Sequence, residues 1–133
     1  MIVVLDASAA LEMALARTEG PRFRAMLAGA ELVLAPDIYP SEVTNAFWKY
    51  HAFESLSVET CMAGIEYCTG LVDDCRDTRD PGREAFAEAV RLRHPVYDLY
   101  YLVLARRNGA CLLTRDKTMM KLARDLGVEI AGA

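Results

Sequence analysis

Short apolar runs alternate along the chain with longer segments of helix-forming residues. Ile2 to Leu5 is rich in β-branched residues and stops at Asp6, a pattern typical of a buried parallel strand, and helix formers follow from Ala7 to Ala16. Glu31 to Ala35 repeats the strand pattern before Pro36. Because strands and helices keep alternating, the sequence predicts an α/β fold, with a short parallel β-sheet flanked by helices on both faces.

Capping and turn residues mark the remaining elements. Ser57 is a predicted N-cap, while Gly109 and Gly127 are positioned to end helices. The segment 73–82 is polar and rich in turn residues, so we predict a loop there. Further helices are expected at 20–28, 37–54, 57–75, 82–93, 96–108 and 117–126, and further strands at 110–114 and 128–130. The helices at 37–54 and 57–75 should form a hairpin.

The composition predicts a single domain over residues 1–133. With 133 residues, of which 53% are hydrophobic and 26% charged, the chain can bury one core but not two. Its longest near-continuous apolar stretch, Val96 to Ala105, is interrupted by Asp98 and is shorter than the roughly 20 residues of a membrane-spanning helix. No secretory signal is recognisable at the N-terminus, so we expect a cytoplasmic protein that does not associate with a membrane.

The cysteines and histidines form no familiar metal-binding motif. The four cysteines are Cys61, Cys68, Cys75 and Cys111. They contain no CxxC pair and lie among apolar residues, so we expect reduced thiols packed in the core. His51 and His94 lack the HExxH spacing of a zinc protease and are expected to be structural or exposed.

Two acidic residues follow predicted strands. Asp6 comes directly after the first strand, and Asp116 comes two residues after the strand that ends at Thr114. Ligands of open α/β sheets bind beyond the carboxyl ends of the strands, which makes both carboxylates candidates for a binding site. Helix capping is the alternative for each of them, because Asp is strongly preferred before the first turn of a helix.

Two further acids begin predicted helices. Asp98 lies in a helix that is apolar on nearly every face, so we expect it to be desolvated, and no Lys or Arg lies three or four residues away to pair with it. A metal, a distant cation or the helix dipole would each explain it. Glu42 lies in the first turn of its helix, where the dipole also favours an acid, and Asn45 follows one turn later on the same face.

The four acids would converge on one edge of a parallel sheet, where they would repel each other unless a cation were present. A ligand set of carboxylates without His or Cys suits Mg²⁺ or Mn²⁺. Such a site activates water and stabilises a leaving oxygen during phosphoryl displacement. Ser8 and Thr114 could orient ligands or water, with capping as the alternative role.

The formal charge of −4 at first argues against a nucleic-acid partner. However, two divalent cations on four carboxylates would cancel a charge of this size and would themselves attract phosphate. The C-terminal third also appears basic in sequence, through Arg91, Arg93, Arg106, Arg107, Arg115, Lys117, Lys121 and Arg124.

Taken together, these motifs resemble PIN-domain ribonucleases, and among them the VapC-like toxins of toxin-antitoxin pairs. The resemblance spans almost the whole chain. It rests on Val4 to Ala9, Ser41 to Asn45, Tyr97 to Tyr101 followed by Leu104 and Ala105, and Leu112 to Asp116. The order and spacing of these segments are more specific than any one of them.

The resemblance implies a PIN-like fold and a metal-dependent endoribonuclease that cuts single-stranded or looped RNA. It also implies a homodimer that is inhibited by a cognate antitoxin protein. The acidic quartet of the family corresponds to Asp6, Glu42, Asp98 and Asp116, and its hydroxyl near the site to Thr114. Some members carry a further Asp where this chain has Thr118, which bears on whether a second metal is held without RNA.

Three other functions share some of these sequence features. A haloacid dehalogenase phosphatase requires a second Asp two residues after the first. This chain has Ser8 there, so the acid needed for proton transfer is missing. A response-regulator receiver would share Asp6, Thr114 and Lys117, but it requires an acidic pair after the first strand and a central phospho-acceptor Asp. The third is a PIN-like module that binds RNA or a protein without cutting.

Overall fold

The computed structural model describes residues 1–132 and contains four short strands and seven α-helices in that range. The strands are β1 (Ile2–Leu5), β2 (Leu32–Pro36), β3 (Asp74–Arg76) and β4 (Cys111–Leu113). The helices are α1 (Ala7–Ala14), α2 (Gly20–Ala28), α3 (Tyr39–Glu54), α4 (Val58–Gly70), α5 (Gly82–Leu92), α6 (Val96–Asn108) and α7 (Lys117–Asp125).

All four strands are parallel and lie in the order β3-β2-β1-β4. Val3 is paired with Val33 of β2 on one side and with Cys111 of β4 on the other. The chain therefore builds the sheet outwards from β1 to β3 and then returns to add β4 beside β1. This reversal of strand order creates a crevice at the carboxyl ends of β1 and β4, the usual place for a ligand in an open α/β sheet.

Both faces of the central strand are covered. Val3, Val4 and Leu5 have no more than trace exposure, although their side chains point alternately to opposite faces. Helix α6 packs against β1, β2 and β4, and its buried residues include Leu99 and Leu102. Each such apolar side chain stabilises the fold by about 1.5–3 kcal/mol. The predicted α/β architecture, a parallel sheet flanked by helices, is confirmed.

Helices α3 and α4 form the predicted hairpin. A β-carbon at Gly64 would collide with the ring of Phe47, so the glycine allows the two helices to lie close together. The Tyr39 hydroxyl donates a hydrogen bond of 2.7 Å to the carbonyl of Cys68 and ties the start of α3 to the end of α4. Ser57 accepts a hydrogen bond from the amide of Thr60 at 3.1 Å, which confirms it as the N-cap of α4.

The prediction for residues 71–76 was wrong. Helix α4 ends at Gly70 instead of reaching Cys75, and β3 lies within the predicted loop. This edge strand has only three residues, all exposed, so it carries no hydrophobic pattern. Its backbone pairs with β2, and Asp73 accepts a hydrogen bond from the Val33 amide at 2.8 Å. Cys75 is consequently exposed, whereas the other three cysteines are buried thiols as expected.

Smaller differences occur at other boundaries. Helix α1 ends two residues early, and Ala16 just beyond it has a left-handed backbone with φ +52°. The predicted strand at 128–130 is reduced to a single bridge between Leu112 and Ile130. Gly109 and Gly127 end α6 and α7 with φ values of +58° and +69°, as predicted. None of the helices described is long and apolar enough to cross a bilayer.

Candidate active site

Asp6 occupies the position where β1 ends, and its side chain is only 7% exposed. Its Oδ2 accepts hydrogen bonds from the hydroxyls of Ser8 at 2.6 Å and Thr114 at 2.7 Å. The side chain makes no capping bond to α1, so the capping alternative does not describe it. The Asp6 carboxylate is instead oriented by two hydroxyls that come from opposite ends of the sequence.

Those hydroxyls are themselves fixed by the backbone. Ser8 accepts a hydrogen bond from the Arg115 amide at 2.9 Å, and Thr114 accepts one from the Asp116 amide at 3.0 Å. Each hydroxyl therefore receives a backbone proton and gives its own proton to Asp6. The segment after β4 is held against Asp6 by these bonds, which gives the carboxylate one defined orientation.

Glu42 lies in the first turn of α3 and reaches across to α6. Its Oε1 accepts a hydrogen bond of 2.5 Å from the hydroxyl of Tyr101, whose side chain is fully buried. Tyr101 follows Asp98 by three residues and so lies near the same face of α6. Asn45 is exposed one turn beyond Glu42, and its side chain makes no hydrogen bond within residues 1–132.

Asp98 is less buried than predicted and has a partner. Its side chain is 30% exposed, because the first turn of α6 lies at the rim of the sheet rather than over the core. Its Oδ2 lies 2.7 Å from Nε2 of His94, four residues earlier. The expectation that this acid is desolvated was therefore wrong. As expected, no Lys or Arg three or four residues away pairs with it, but His94 at one of those positions is a hydrogen-bond partner.

Asp116 caps α7, which was the alternative role predicted for it from the sequence. Its Oδ1 accepts hydrogen bonds from the amides of Thr118 at 2.8 Å and Met119 at 3.4 Å. The side chain is exposed at the carboxyl end of β4. Capping occupies one carboxylate oxygen only, so it does not compete with binding through the other.

All four acids use only one of their two carboxylate oxygens within the protein. In each, hydrogen bonds from the protein reach only one carboxylate oxygen. The second oxygen makes no hydrogen bond with any residue in the range 1–132; these atoms are Oδ1 of Asp6, Oε2 of Glu42, Oδ1 of Asp98 and Oδ2 of Asp116. The protein thus orients each carboxylate and leaves one of its oxygens for another ligand.

The charges of the four acids influence each other. Burial raises the pKa of Asp6, and the charges of Asp98 and Asp116 raise it further, against the lowering effect of the Ser8 and Thr114 hydroxyls. Burial also raises the pKa of Glu42, the Tyr101 hydroxyl lowers it, and the charges of Asp6 and Asp98 raise it. No Lys or Arg contributes to either shift. The cluster therefore has an excess of negative charge that a cation would relieve.

The ligand types of these residues suit a hard divalent cation, but their arrangement does not form a complete coordination site. Oxygen donors alone are suited to Mg²⁺ and Mn²⁺. Over residues 1–132, however, no three acidic, imidazole or thiol side chains are close enough to form a ready coordination cluster. A cation bound by all four carboxylates would require them to approach each other more closely.

The basic C-terminal third predicted from the sequence is mostly neutralised. Arg106 pairs with Glu84 and Glu88, and Arg107 pairs with Glu84 and Asp80. Further pairs join Arg91 to Glu88, Arg115 to Glu12 and Lys121 to Asp125. Glu84 and Glu88 lie on α5, Glu12 on α1 and Asp125 on α7, so acids from several helices balance the basic residues of the C-terminal third.

The fold is similar to that of a known crystal structure. PAE2754 from Pyrobaculum aerophilum superimposes with a TM-score of 0.76 over 98% of this chain and 83% of that chain, at 18% sequence identity. No protein-family model matches the sequence, and neither does any curated protein. At this identity the likeness concerns the fold alone, and it agrees with an α/β domain built on a parallel sheet.

Proposed function

We propose that this chain is a metal-dependent endoribonuclease of the PIN type, with Asp6, Glu42, Asp98 and Asp116 as the ligands of Mg²⁺ or Mn²⁺. One observation carries the proposal. Four carboxylates each keep one oxygen without a donor within residues 1–132, and the charges of neighbouring acids among them raise the pKa of Asp6 and of Glu42. The nuclease reaction and the RNA substrate are proposed from the PIN-like motifs in the sequence.

A divalent cation bound by these carboxylates would polarise the scissile phosphodiester and favour ionisation of the attacking water. The side chains have separate tasks. Ser8 and Thr114 orient Asp6, Tyr101 orients Glu42 and His94 orients Asp98, and the second oxygen of each carboxylate has no donor within residues 1–132. Asp116 is held by the amides of α7, whose N-terminal dipole also favours an anionic phosphate nearby.

Partners are proposed from the resemblance to VapC-like toxins. The chain would act in the cytoplasm as a homodimeric toxin and would be inhibited by a cognate antitoxin protein. Exposed apolar side chains support the presence of a protein partner, since Phe86 and Val90 on α5 and Tyr97 at the start of α6 are each more than 60% exposed. Contiguous exposed apolar side chains are unfavourable in water and are commonly covered by another protein.

A PIN-like module that binds RNA or protein without cutting is the second candidate. The absence of a ready three-ligand cluster within residues 1–132 favours it, because catalysis would require the carboxylates to approach each other further. The two candidates differ in one measurable respect, namely whether RNA is cleaved in a metal-dependent manner.

The decisive experiment is RNA cleavage by the purified chain, freed of any partner, with structured RNA and Mg²⁺ or Mn²⁺. We expect cleavage that is abolished by EDTA and reduced at least about 100-fold by Asp98→Asn, which keeps the shape of the side chain and its contact with His94. Asp125→Asn, in the exposed pair with Lys121, is the matched control and should cut normally. Unchanged cleavage by Asp98→Asn would refute the assigned site, and no cleavage with either metal would favour the binding module.

A further inference from the structure

Two cations on or beside α3 are not neutralised by the protein. Lys49 and Arg17 are exposed, and neither forms an ion pair with any residue in the range 1–132. This distinguishes them from Arg106 and Arg107 on α6, each of which is held by two acids. Cations that remain unpaired on one surface can bind an external polyanion without first breaking an internal contact.

Lys49 is connected to the candidate site by the surface of α3. A shallow groove is lined by Glu42, Asn45, Ala46, Lys49 and Tyr50. Glu42 and Lys49 are seven residues apart, so they lie on one face of the helix, separated by two turns or about 10 Å. A nucleic-acid strand with one phosphate at the candidate metal site could therefore place a neighbouring phosphate at Lys49.

Arg17 is held at the far end of the same groove. Its guanidinium lies over the ring of Tyr50, 5.5 Å from the ring centre, and Nη2 donates a weak hydrogen bond of 3.4 Å to the Tyr50 hydroxyl. These contacts orient the side chain but leave its charge unneutralised. Arg17 and Lys49 thus flank Tyr50 as two cations beside one aromatic ring.

An exposed aromatic side chain adjoins this groove. Trp48 is 57% exposed and is braced edge-on by Phe53, with ring centres 5.8 Å apart. It lines a second groove with Pro40, Ser41, Thr44 and Asn45, so that Asn45 belongs to both grooves. Exposed aromatic faces next to unpaired cations are the usual components of surfaces that bind single-stranded nucleic acid.

We infer that this face of α3, with Arg17, binds single-stranded RNA and leads it to the candidate metal centre. Lys49 and Arg17 would contact phosphates, Trp48 would stack on a base, and Asn45 could hydrogen-bond to a base edge. The inference rests on the proposed function, since it assigns the substrate path of the same site. An acidic peptide could pair with the two cations but would not need an exposed indole, whereas a base of RNA can stack on it. RNA is therefore the favoured ligand.

The test is binding of a fluorescein-labelled single-stranded RNA of mixed sequence, measured by anisotropy in EDTA between 50 and 200 mM salt, conditions chosen so that nothing is cut. We expect the Arg17→Gln, Lys49→Gln double variant to bind more weakly and to lower the slope of log affinity against log salt by about 1.4, or about 0.7 for each lost phosphate contact. Trp48→Ala should weaken binding about tenfold with little change in slope.

The matched control is Arg83→Gln, Arg93→Gln, which removes two cations that also lack an ion pair within residues 1–132 but lie on α5 and at its C-cap. Equal salt slopes for the two double variants would overturn the inference, and so would the absence of saturable RNA binding by the unmodified chain. Binding of oligoglutamate in place of RNA, with the same dependence on Lys49, would also overturn it.

The two proposals fail in different ways. If RNA binding depends on Arg17 and Lys49 but no metal supports cleavage, the α3 surface stands and the nuclease proposal falls. If metal-dependent cleavage occurs while both double variants bind RNA alike, the nuclease proposal stands and this path is wrong.

Discussion

At the carboxyl edge of the sheet, burial and neighbouring acids raise the pKa values of Asp6 and Glu42. Between α5 and α6 the situation is reversed, because hydrogen bonds from arginines lower the pKa of Glu84 and bring that of Glu88 to about 2. Both regions concentrate carboxylates. Only the α5–α6 region contains the cations that balance them.

This difference separates carboxylates that stabilise the fold through ion pairs from carboxylates whose charge is not balanced within the fold. Glu84 and Glu88 are satisfied by Arg91, Arg106 and Arg107, so their charge is already accounted for inside the molecule. The carboxylates at the sheet edge receive hydrogen bonds from hydroxyls, amides and a histidine, but they form no ion pair with a Lys or Arg in the described part of the chain. A cluster that is oriented but electrically unbalanced is expected to bind a cation from solution.

The largest expected effect is stabilisation by a divalent cation. At Mg²⁺ or Mn²⁺ concentrations about 100 times the dissociation constant, binding to the native state should add about 2.7 kcal/mol of stability, or roughly 10 °C in melting temperature. Asp6→Asn should remove most of this response, because it neutralises the most buried of the four acids. Thermal melts with and without the metal provide the measurement.

The control for that experiment is Glu88→Gln, which removes an acid of the balanced region. Its metal response should equal that of the unmodified chain, because Glu88 is occupied by Arg91 and Arg106. A similar loss of response in both variants would mean that the cation acts on overall charge, and the contrast between the two regions would then carry no functional meaning.

The next effect concerns the orientation of Glu42. Tyr101→Phe removes the buried hydroxyl that holds Oε1 and should weaken metal affinity by about 10- to 100-fold, as is typical when a residue supporting a metal ligand is lost. Tyr100→Phe is the control, since the hydroxyl of Tyr100 makes no hydrogen bond within residues 1–132. Metal titrations followed by melting temperature would test this, and an unchanged affinity in Tyr101→Phe would exclude a role for the hydroxyl in the site.

The sequence was sufficient to predict the parts of the fold that depend on apolar burial. β1 and α6 were predicted within one residue because their apolar residues are buried in the core. Strand β3 was missed because it is held by backbone hydrogen bonds and the Asp73 side chain, with no buried side chain of its own. Edge strands of this kind leave little trace in a hydrophobic pattern.

For the candidate site, the sequence predicted that these acids influence each other, but not which residues hold them. Strand ends and helix starts indicated Asp6, Glu42, Asp98 and Asp116, whose mutual electrostatic influence is borne out for Asp6 and Glu42. The supporting partners were found only in three dimensions, since Tyr101 and Glu42 are separated by 59 positions in the chain. Similarly, the pairing of the basic residues with acids of α5 depends on how α5 packs against α6.

The smallest effect compares the two regions by their response to pH. The native pKa of Glu88 is about 2 against an ordinary value of 4.5, so its stabilising contribution is present above pH 4.5 and is lost as the pH falls towards 2. Glu88→Gln should therefore lower the melting temperature at pH 7, by no more than a few degrees because surface ion pairs contribute little, and the difference should fade on acidification.

Asp6→Asn, measured without metal, should show the opposite sign. The native pKa of Asp6 is raised, so its ionised form destabilises the fold at neutral pH, and protonation relieves this as the pH falls through the native pKa towards 3.8. The variant should accordingly melt above the unmodified chain at pH 7, and the two should converge in acid. Melting curves from pH 7 to 2 would reveal two differences of opposite sign, of which the Asp6 difference disappears first and the Glu88 difference only near pH 2. If Asp6→Asn instead melts lower at pH 7, the hydrogen bonds from Ser8 and Thr114 outweigh the burial of its charge, and the sheet edge is balanced without a cation.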